Sequence, residues 1–282
     1  MKSPSFIIAG APKSGTNSLR EYLRSHPKIF MPPGEVHYFD DNYEKGIEWY
    51  LNFFKEAKED YLLGEKTPNY MYRVDIAENI YRLNPKMKLI FLLRDPVDRA
   101  YSNYWHNFKA GRINKYFDEN IKNFEDNIYV KECIENSRYK RAIDNYKKFF
   151  PKDQILLLKA EDLRNKRKTT LDKVFNFLEI DRFYPENLDQ EYNVGKKSRS
   201  EFITKAVKKF EKIKHKKNPL NIIVGFISMW NQKRIIERAF RRSKYYNEFK
   251  IKKGKTYPKI QEKTRTMLEE MLNEEIDFWR KI

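Results

Sequence analysis

The chain alternates short apolar runs with longer stretches whose apolar residues recur every three or four positions. Phe6–Ala9, Leu89–Leu93 and Ile155–Leu158 are apolar without alternation, the pattern of parallel strands covered on both faces. Tyr61–Leu63 is a weaker strand candidate. Helices are predicted over Ser18–Arg24, Tyr43–Ala57, Arg73–Leu83, Pro96–Phe108, Ser137–Phe150 and Thr169–Leu178. In the last, Leu171, Val174, Phe175 and Leu178 make one apolar face. Strand–helix alternation of this kind predicts an α/β, three-layer fold around a central parallel sheet. From about Arg199 onward the pattern is helical only, with Phe202, Ile203, Ala206, Val207 and Phe210 forming a stripe and Lys205, Lys208, Lys209 and Lys212 off it. No internal repeat or low-complexity linker breaks the chain, so one domain over residues 1–282 is expected, with the basic helical C-terminal segment inside it.

Composition sharpens this picture in three places. The 282 residues are 40% apolar with nine glycines, enough to bury a sizeable core and to exclude wholesale disorder. The single cysteine, Cys133, excludes a disulfide framework and a cysteine-rich zinc site. The opening MKSPSFIIAG has no apolar leader, and the longest mostly apolar stretch, Leu220–Trp230, is half the ~20 residues a membrane helix needs. A cytoplasmic protein is expected.

Charge is concentrated. The net +18 resides almost wholly in Lys196–Lys259, which carries 21 Lys/Arg against 4 Asp/Glu. Such a run is a solvated helical face by default. Gathered in one segment, it points toward an anionic partner, with peripheral contact to an anionic membrane as one option.

Strand Phe6–Ala9 runs into Gly10-Ala-Pro-Lys-Ser-Gly-Thr-Asn-Ser-Leu19. A strand, tight loop and helix start aim backbone N–H groups and the positive helix end at one spot, an anion site in a P-loop-like fold. Gly10 and Gly15 have Walker A spacing, but Thr16 stands where the lysine belongs and the lysine sits in the loop as Lys13. An ordinary capped βα turn is the plain alternative. The second motif is strand Leu89–Leu93 followed by Arg94-Asp-Pro-Val-Asp-Arg-Ala-Tyr-Ser102. Asp95 can cap the following helix and Pro96 fits its first turn. Arg94 then lies at the carboxyl edge of the sheet, where α/β folds bind ligands, with Ser102 two turns along. Two separated anion sites on one edge suit a ligand with phosphates at both ends.

PKSGTNSL (12–19) followed by LIFLLRDPVDRAYSNY (89–104) resembles the 3′-phosphoadenosine 5′-phosphosulfate (PAPS) dependent sulfotransferases, and within them bacterial and heparan-sulfate-like carbohydrate enzymes. SHPKIFMPPGEVHYFDD (25–41), GEKTPNY (64–70), RYKRAIDNYKKFFPKDQILLLKAEDL (138–163) and KKGKTYP (252–258) follow in the family's order. The resemblance implies that Lys13, Ser14, Gly15, Thr16, Asn17 and Ser18 surround the 5′-phosphosulfate. Arg94 and Ser102 would bind the 3′-phosphate, with Lys253, Gly254 and Lys255 closing over the nucleotide. Glu35 matches the family's general base, His37 and Asp40 its companions, and Lys66 a lysine of the acceptor cleft. Asn17 replaces a more usual small hydroxyl residue, and Lys255 an arginine.

PAPS is then the expected co-substrate, adenosine 3′,5′-bisphosphate the product, and a carbohydrate or glycoconjugate, acidic ones included, the expected acceptor. Sulfuryl transfer is an in-line displacement in which the protein positions and neutralises. Lys13 can meet charge on the leaving oxygen, and no metal is expected. Glu35 and His37 both remain candidates for the base; in an extended loop they would face opposite ways and only one would reach the acceptor. His26, His106 and His215 follow no metal-ligand spacing. Competing readings are a P-loop nucleotide kinase, disfavoured by Thr16, and a non-enzymatic binder of nucleic acid or anionic membrane, for which no nucleic-acid motif is present.

Overall fold

The computed structural model describes residues 3–109, 112–113, 117, 121–186, 188 and 257–282. Lys253, Gly254, Lys255 and the basic segment 196–259, apart from its last three residues, lie outside these. The described residues up to Leu188 and from Ile260 onward belong to one compact unit.

Five parallel strands form its centre: β1 (Phe6–Gly10), β2 (Ile29–Phe30), β3 (Leu62–Lys66), β4 (Lys88–Leu93) and β5 (Ile155–Lys159), in the order β2-β3-β1-β4-β5. The described helices are α1 (Thr16–Arg24), α2 (Tyr38–Asp41), α3 (Gly46–Leu51), α4 (Val74–Leu83), α5 (Pro96–Lys109), α6 (Ile128–Glu135), α7 (Tyr139–Tyr146), α8 (Ala160–Asn165), α9 (Arg167–Leu178), α10 (Glu262–Met271) and α11 (Asn273–Arg280).

Because strand side chains alternate, each strand feeds two cores. Phe6 and Ile8 of β1 and Ile90 and Leu92 of β4 pack with Leu19 and Leu23 of α1 and with Leu171, Val174 and Phe175 of α9. Ile7, Ala9, Leu89, Phe91 and Leu93 point the other way, onto Ile76, Ala77 and Ile80 of α4 and Tyr139, Ile143 and Tyr146 of α7. This is the three-layer α/β arrangement that the uninterrupted apolar runs imply. Phe6 stands opposite Gly64 in the β1–β3 register, and a Cβ at Gly64 would lie 2.1 Å from the Phe6 ring.

Two expectations need correcting, and one strand was not foreseen. The Tyr61–Leu63 strand runs instead from Leu62 to Lys66, reaching residues whose polar side chains hid it. The two-residue β2 was not legible in the sequence pattern. The helix expected over Tyr43–Ala57 is broken into a 3₁₀ turn at Tyr43–Lys45, α3, and a second turn at Asn52–Phe54. Gly46, at φ 78°, interrupts it. Among the described residues no helix is long and apolar enough to cross a membrane.

From β1 the chain runs outward to β2, returns through β3 beside β1, and crosses to β4 on the far side. The carboxyl ends of β3, β1 and β4 therefore lie side by side, at the switch point where open α/β sheets bind ligands.

Candidate active site

The loop leaving β1 has the geometry of an anion cradle. Lys13 and Gly15 both take left-handed backbone, at φ 72° and φ 93°, which turns the chain sharply into α1. Gly15 occupies the N-cap and supplies no side chain, so the first amides of α1 have no side-chain cap. Ser14 is buried and its Oγ has no hydrogen-bond partner among the described residues. An orphaned hydroxyl beside an uncapped helix end fits the oxygens of a bound anion.

On the neighbouring strand β4, Asp95 Oδ1 accepts from the Asp98 N–H at 2.9 Å, and Pro96 opens α5, as the sequence implies. Arg94 follows β4 directly, its backbone oxygen held by the Tyr139 hydroxyl at 3.0 Å. Its guanidinium is 3.9 Å from Asp98, which also pairs with Arg265 of α10. Ser102 is buried on the second turn of α5.

The third cluster joins the end of β3 to the proline-bounded loop before α2. Lys66, 1% exposed, donates to Asn17 Oδ1 at 2.7 Å and to Glu35 Oε1. The other Glu35 oxygen lies 3.1 Å from His37 Nε2, and His37 Nδ1 is 2.9 Å from Asp40 Oδ2. Glu35 and His37 thus converge rather than facing opposite ways. His37 sits in left-handed backbone, φ 54°, at the N-cap of α2, and that reversal turns its ring back onto Glu35.

These contacts fix the charges. Burial raises the Glu35 carboxyl, but the His37 hydrogen bond and the Lys66 charge overcome it and hold it at about 2. Hydrogen bonds to Asp40 and Glu35 push His37 up to about 10 against the effect of burial. Burial lowers Lys66, opposed by the charge of Glu35. At neutral pH Glu35 is a carboxylate and His37 an imidazolium. His37, Asp40 and Asp41 also bring three potential ligand atoms within 4.8 Å of one another.

Beneath this cluster lies a residue the sequence reading did not single out. Glu65 is fully buried, and burial raises its carboxyl to about 7, opposed by hydrogen bonds from Tyr50, Thr67 and Tyr70. An acidic residue at an inward strand position was the available signal. His26, by contrast, bonds backbone through both ring nitrogens, to Asp181 O and to the Lys28 N–H, and is structural. Cys133 is buried with its thiol raised to about 11 and is inert.

Among known proteins, a family model of the sulfotransferase domain matches residues 3–271. Bifunctional heparan sulfate N-deacetylase/N-sulfotransferase 3 of Mus musculus is 33% identical over 199 residues, 64% of this chain and 23% of that protein. Heparan sulfate glucosamine 3-O-sulfotransferase 5 of Mus musculus is 31% identical over 186 residues, 63% of this chain and 54% of that protein. The chain thus spans about half of one relative and a quarter of the other. A sulfotransferase crystal structure from Alicyclobacillus acidocaldarius superposes with a TM-score of 0.61 at 25% identity, covering 68% of this chain and 87% of that one. A sulfotransferase domain of the curacin biosynthetic pathway shares the fold, with a TM-score of 0.52 at 18% identity over 68% of this chain and 79% of its own. With its parallel sheet, its lysine-bearing loop after β1 and its arginine after β4, the chain belongs to the sulfotransferase domain family.

Proposed function

We propose that this chain transfers the sulfuryl group of PAPS to a hydroxyl or amine of a carbohydrate or glycoconjugate. One observation carries the reading: a carboxylate, Glu35, held between Lys66 and His37, is tied through Lys66 to Asn17 of the anion loop. The two heparan sulfate relatives support a carbohydrate acceptor.

PAPS supplies the sulfuryl group and departs as adenosine 3′,5′-bisphosphate. The loop from Lys13 to Ser18 and the α1 N-terminus hold the phosphosulfate end, while Arg94 and Ser102 take the 3′-phosphate. The acceptor oxygen or nitrogen forms a bond to sulfur as the bond from sulfur to the bridging phosphate oxygen breaks. The electron pair of that bond stays on the departing phosphate, where Lys13 neutralises it. The acceptor proton passes to Glu35.

Glu35 is the better base of the two candidates because His37, donating to Glu35 and Asp40, has no free lone pair. A carboxylate of low basicity suffices, since the acceptor becomes acidic as it bonds to sulfur. With Oε1 committed to Lys66, the oxygen shared with His37 is the one that meets the acceptor. Lys66 is buried, so its part is to hold Glu35 and the loop rather than to line the acceptor cleft. Labelled PAPS offered with a panel of glycans tests the reading. Label should transfer with wild-type protein and fail with Glu35→Gln; no transfer to any glycan, with tight Mg·ATP binding instead, would refute it.

A further inference from the structure

Four consecutive backbone amides of the base loop are held by only two side-chain oxygens. The Val36 and His37 N–H groups donate to Thr67 Oγ1 at 3.2 and 3.4 Å. The Tyr38 and Phe39 N–H groups donate to the Tyr70 hydroxyl at 2.8 and 3.3 Å. A hydroxyl has two lone pairs and one proton, so each oxygen, once it has accepted twice, must give its proton elsewhere. Both give it to one place. Thr67 donates to Glu65 Oε2 at 3.0 Å and Tyr70 to the same oxygen at 3.4 Å, while Tyr50 donates to Oε1 at 2.6 Å.

We propose that Glu65 is a positioning residue for the proton-transfer cluster: through Thr67 and Tyr70 it sets the backbone of residues 36–39 and so the alignment of Glu35, His37 and Asp40. Glu65 is fully buried and accepts hydrogen bonds from Tyr50, Thr67 and Tyr70. Its neighbour on β3, Lys66, points the other way and grips the Glu35 side chain. Two adjacent residues of one rigid strand thus control the same loop, one through its backbone and one through its base.

The chemistry requires an acceptor at position 65. Three hydroxyls donate to the two oxygens of Glu65, an arrangement that suits the ionised carboxylate, which accepts from all three without offering a proton, against the burial that raises the carboxyl to about 7. Glutamine places an NH₂ donor at one of the two oxygens, against a hydroxyl proton already pointing there. At Oε1 that proton is the proton of Tyr50, which holds none of the four amides; at Oε2 it belongs to Thr67 or Tyr70, whose hydroxyl must rotate and release a backbone amide. The left-handed turn at His37, φ 54°, then loses a fixing contact, and with it the 2.9 and 3.1 Å contacts of the His37 ring.

The inference rests on the reading of Glu35 and His37 as the acceptor-handling pair, and its test separates the two. Glu65→Gln, Thr67→Val and Thr67→Ser are made in the full chain. Turnover, PAPS affinity by calorimetry and the His37 ring titration by NMR are measured. Glu65→Gln and Thr67→Val should lower kcat about 10²-fold, the loss that a misplacement of about 1 Å produces, with PAPS affinity retained. Thr67→Ser, which keeps the hydroxyl, should recover most of that turnover. The His37 titration should fall in Glu65→Gln from about 10 toward the ordinary imidazole value. Native kcat and an unmoved His37 titration in both Glu65→Gln and Thr67→Val overturn the inference. So does a parallel loss of PAPS affinity and turnover in all three variants, which would mark general damage. If Glu35→Gln is as active as wild type, the functional reading fails, and the His37 titration still decides whether Glu65 positions the loop.

Discussion

Lys66 donates to Asn17 Oδ1 at 2.7 Å from the same ammonium that holds Glu35. One buried cation therefore spans from the anion loop after β1 to the carboxylate proposed as base. Asn17, which lacks the small hydroxyl usual at its position, does not simply remove a contact there. Its amide oxygen supplies the neutral anchor that orients Lys66. Because the ammonium is nearly inaccessible to water, its charge is poorly screened and acts strongly on Glu35.

Replacing Lys66 should therefore change a pH profile. In Lys66→Met the carboxyl of Glu35 loses the charge and hydrogen bond that help hold it at about 2, while the burial that raises it remains. The acid limb of kcat/KM, which reports ionisation of the base, should move to higher pH, with turnover reduced at neutral pH. An acid limb unchanged from wild type would show that Lys66 does not govern Glu35.

His37 gives a stability signature of opposite sign. Its folded value, about 10, lies above the ordinary 6.5. Protonation is thus tighter in the folded state, and the stabilisation is fully present below pH 6.5 and is lost as pH rises through 10. Thermal unfolding from pH 6 to 10.5 should show wild type losing more stability than His37→Gln across that window. Parallel Tm curves would show that the imidazolium is not specially held in the fold.

Strands β1, β4 and β5 and the strand–loop–helix turns after β1 and β4 were legible because each depends on local pattern. Unbroken apolar runs such as Leu89–Leu93 mark buried strands, and Asp95-Pro96 marks a helix start. The fan of Glu35, His37 and Lys66 was legible only as separate names. Its geometry depends on a left-handed His37, which no spacing rule announces for a non-glycine residue, and on strand pairing that brings positions 31 residues apart together. The end of β3 was missed for the same reason. Gly64, Glu65, Lys66 and Thr67 carry no apolar side chain to mark a strand, yet all four are buried.

Gly64 tests the packing that carries the site. A Cβ there would sit 2.1 Å from the Phe6 ring, and Phe6 is fully buried, so the ring cannot swing into solvent. Gly64→Ala should destabilise by about 1–3 kcal/mol, the usual cost of overpacking, read as a lowered Tm. Adding Phe6→Leu should recover part of the loss, since the smaller side chain vacates the space. A Gly64→Ala protein with native Tm would mean that β1 and β3 can separate at this point without cost.

The two anion sites should divide the work between turnover and recognition. Lys13 lies in the loop that turns at φ 72° and φ 93° into the uncapped end of α1, beside the orphaned Ser14 hydroxyl. In the proposed reaction charge grows there only as the sulfuryl group leaves, so Lys13→Ala would remove an interaction made mainly in the transition state. Its kcat should fall by ~10²–10³ with a smaller change in PAPS affinity. Arg94 sits at the end of β4 with its fork near Asp98, whose charge is shared with Arg265; in the proposed reaction it meets a phosphate that does not change. Its contribution is uniform binding, worth about 1.5–3 kcal/mol for a charge-assisted contact, or roughly ten- to a hundredfold in affinity. The discriminating measurement is calorimetry with adenosine 3′,5′-bisphosphate and with adenosine 5′-phosphate, which lacks the 3′-phosphate. Wild type and Lys13→Ala should both prefer the bisphosphate strongly, and Arg94→Ala should lose most of that preference. If Arg94→Ala instead weakens both nucleotides equally, Arg94 reads some part of the ligand other than the 3′-phosphate, and the assignment of that end of the sheet edge must be reversed.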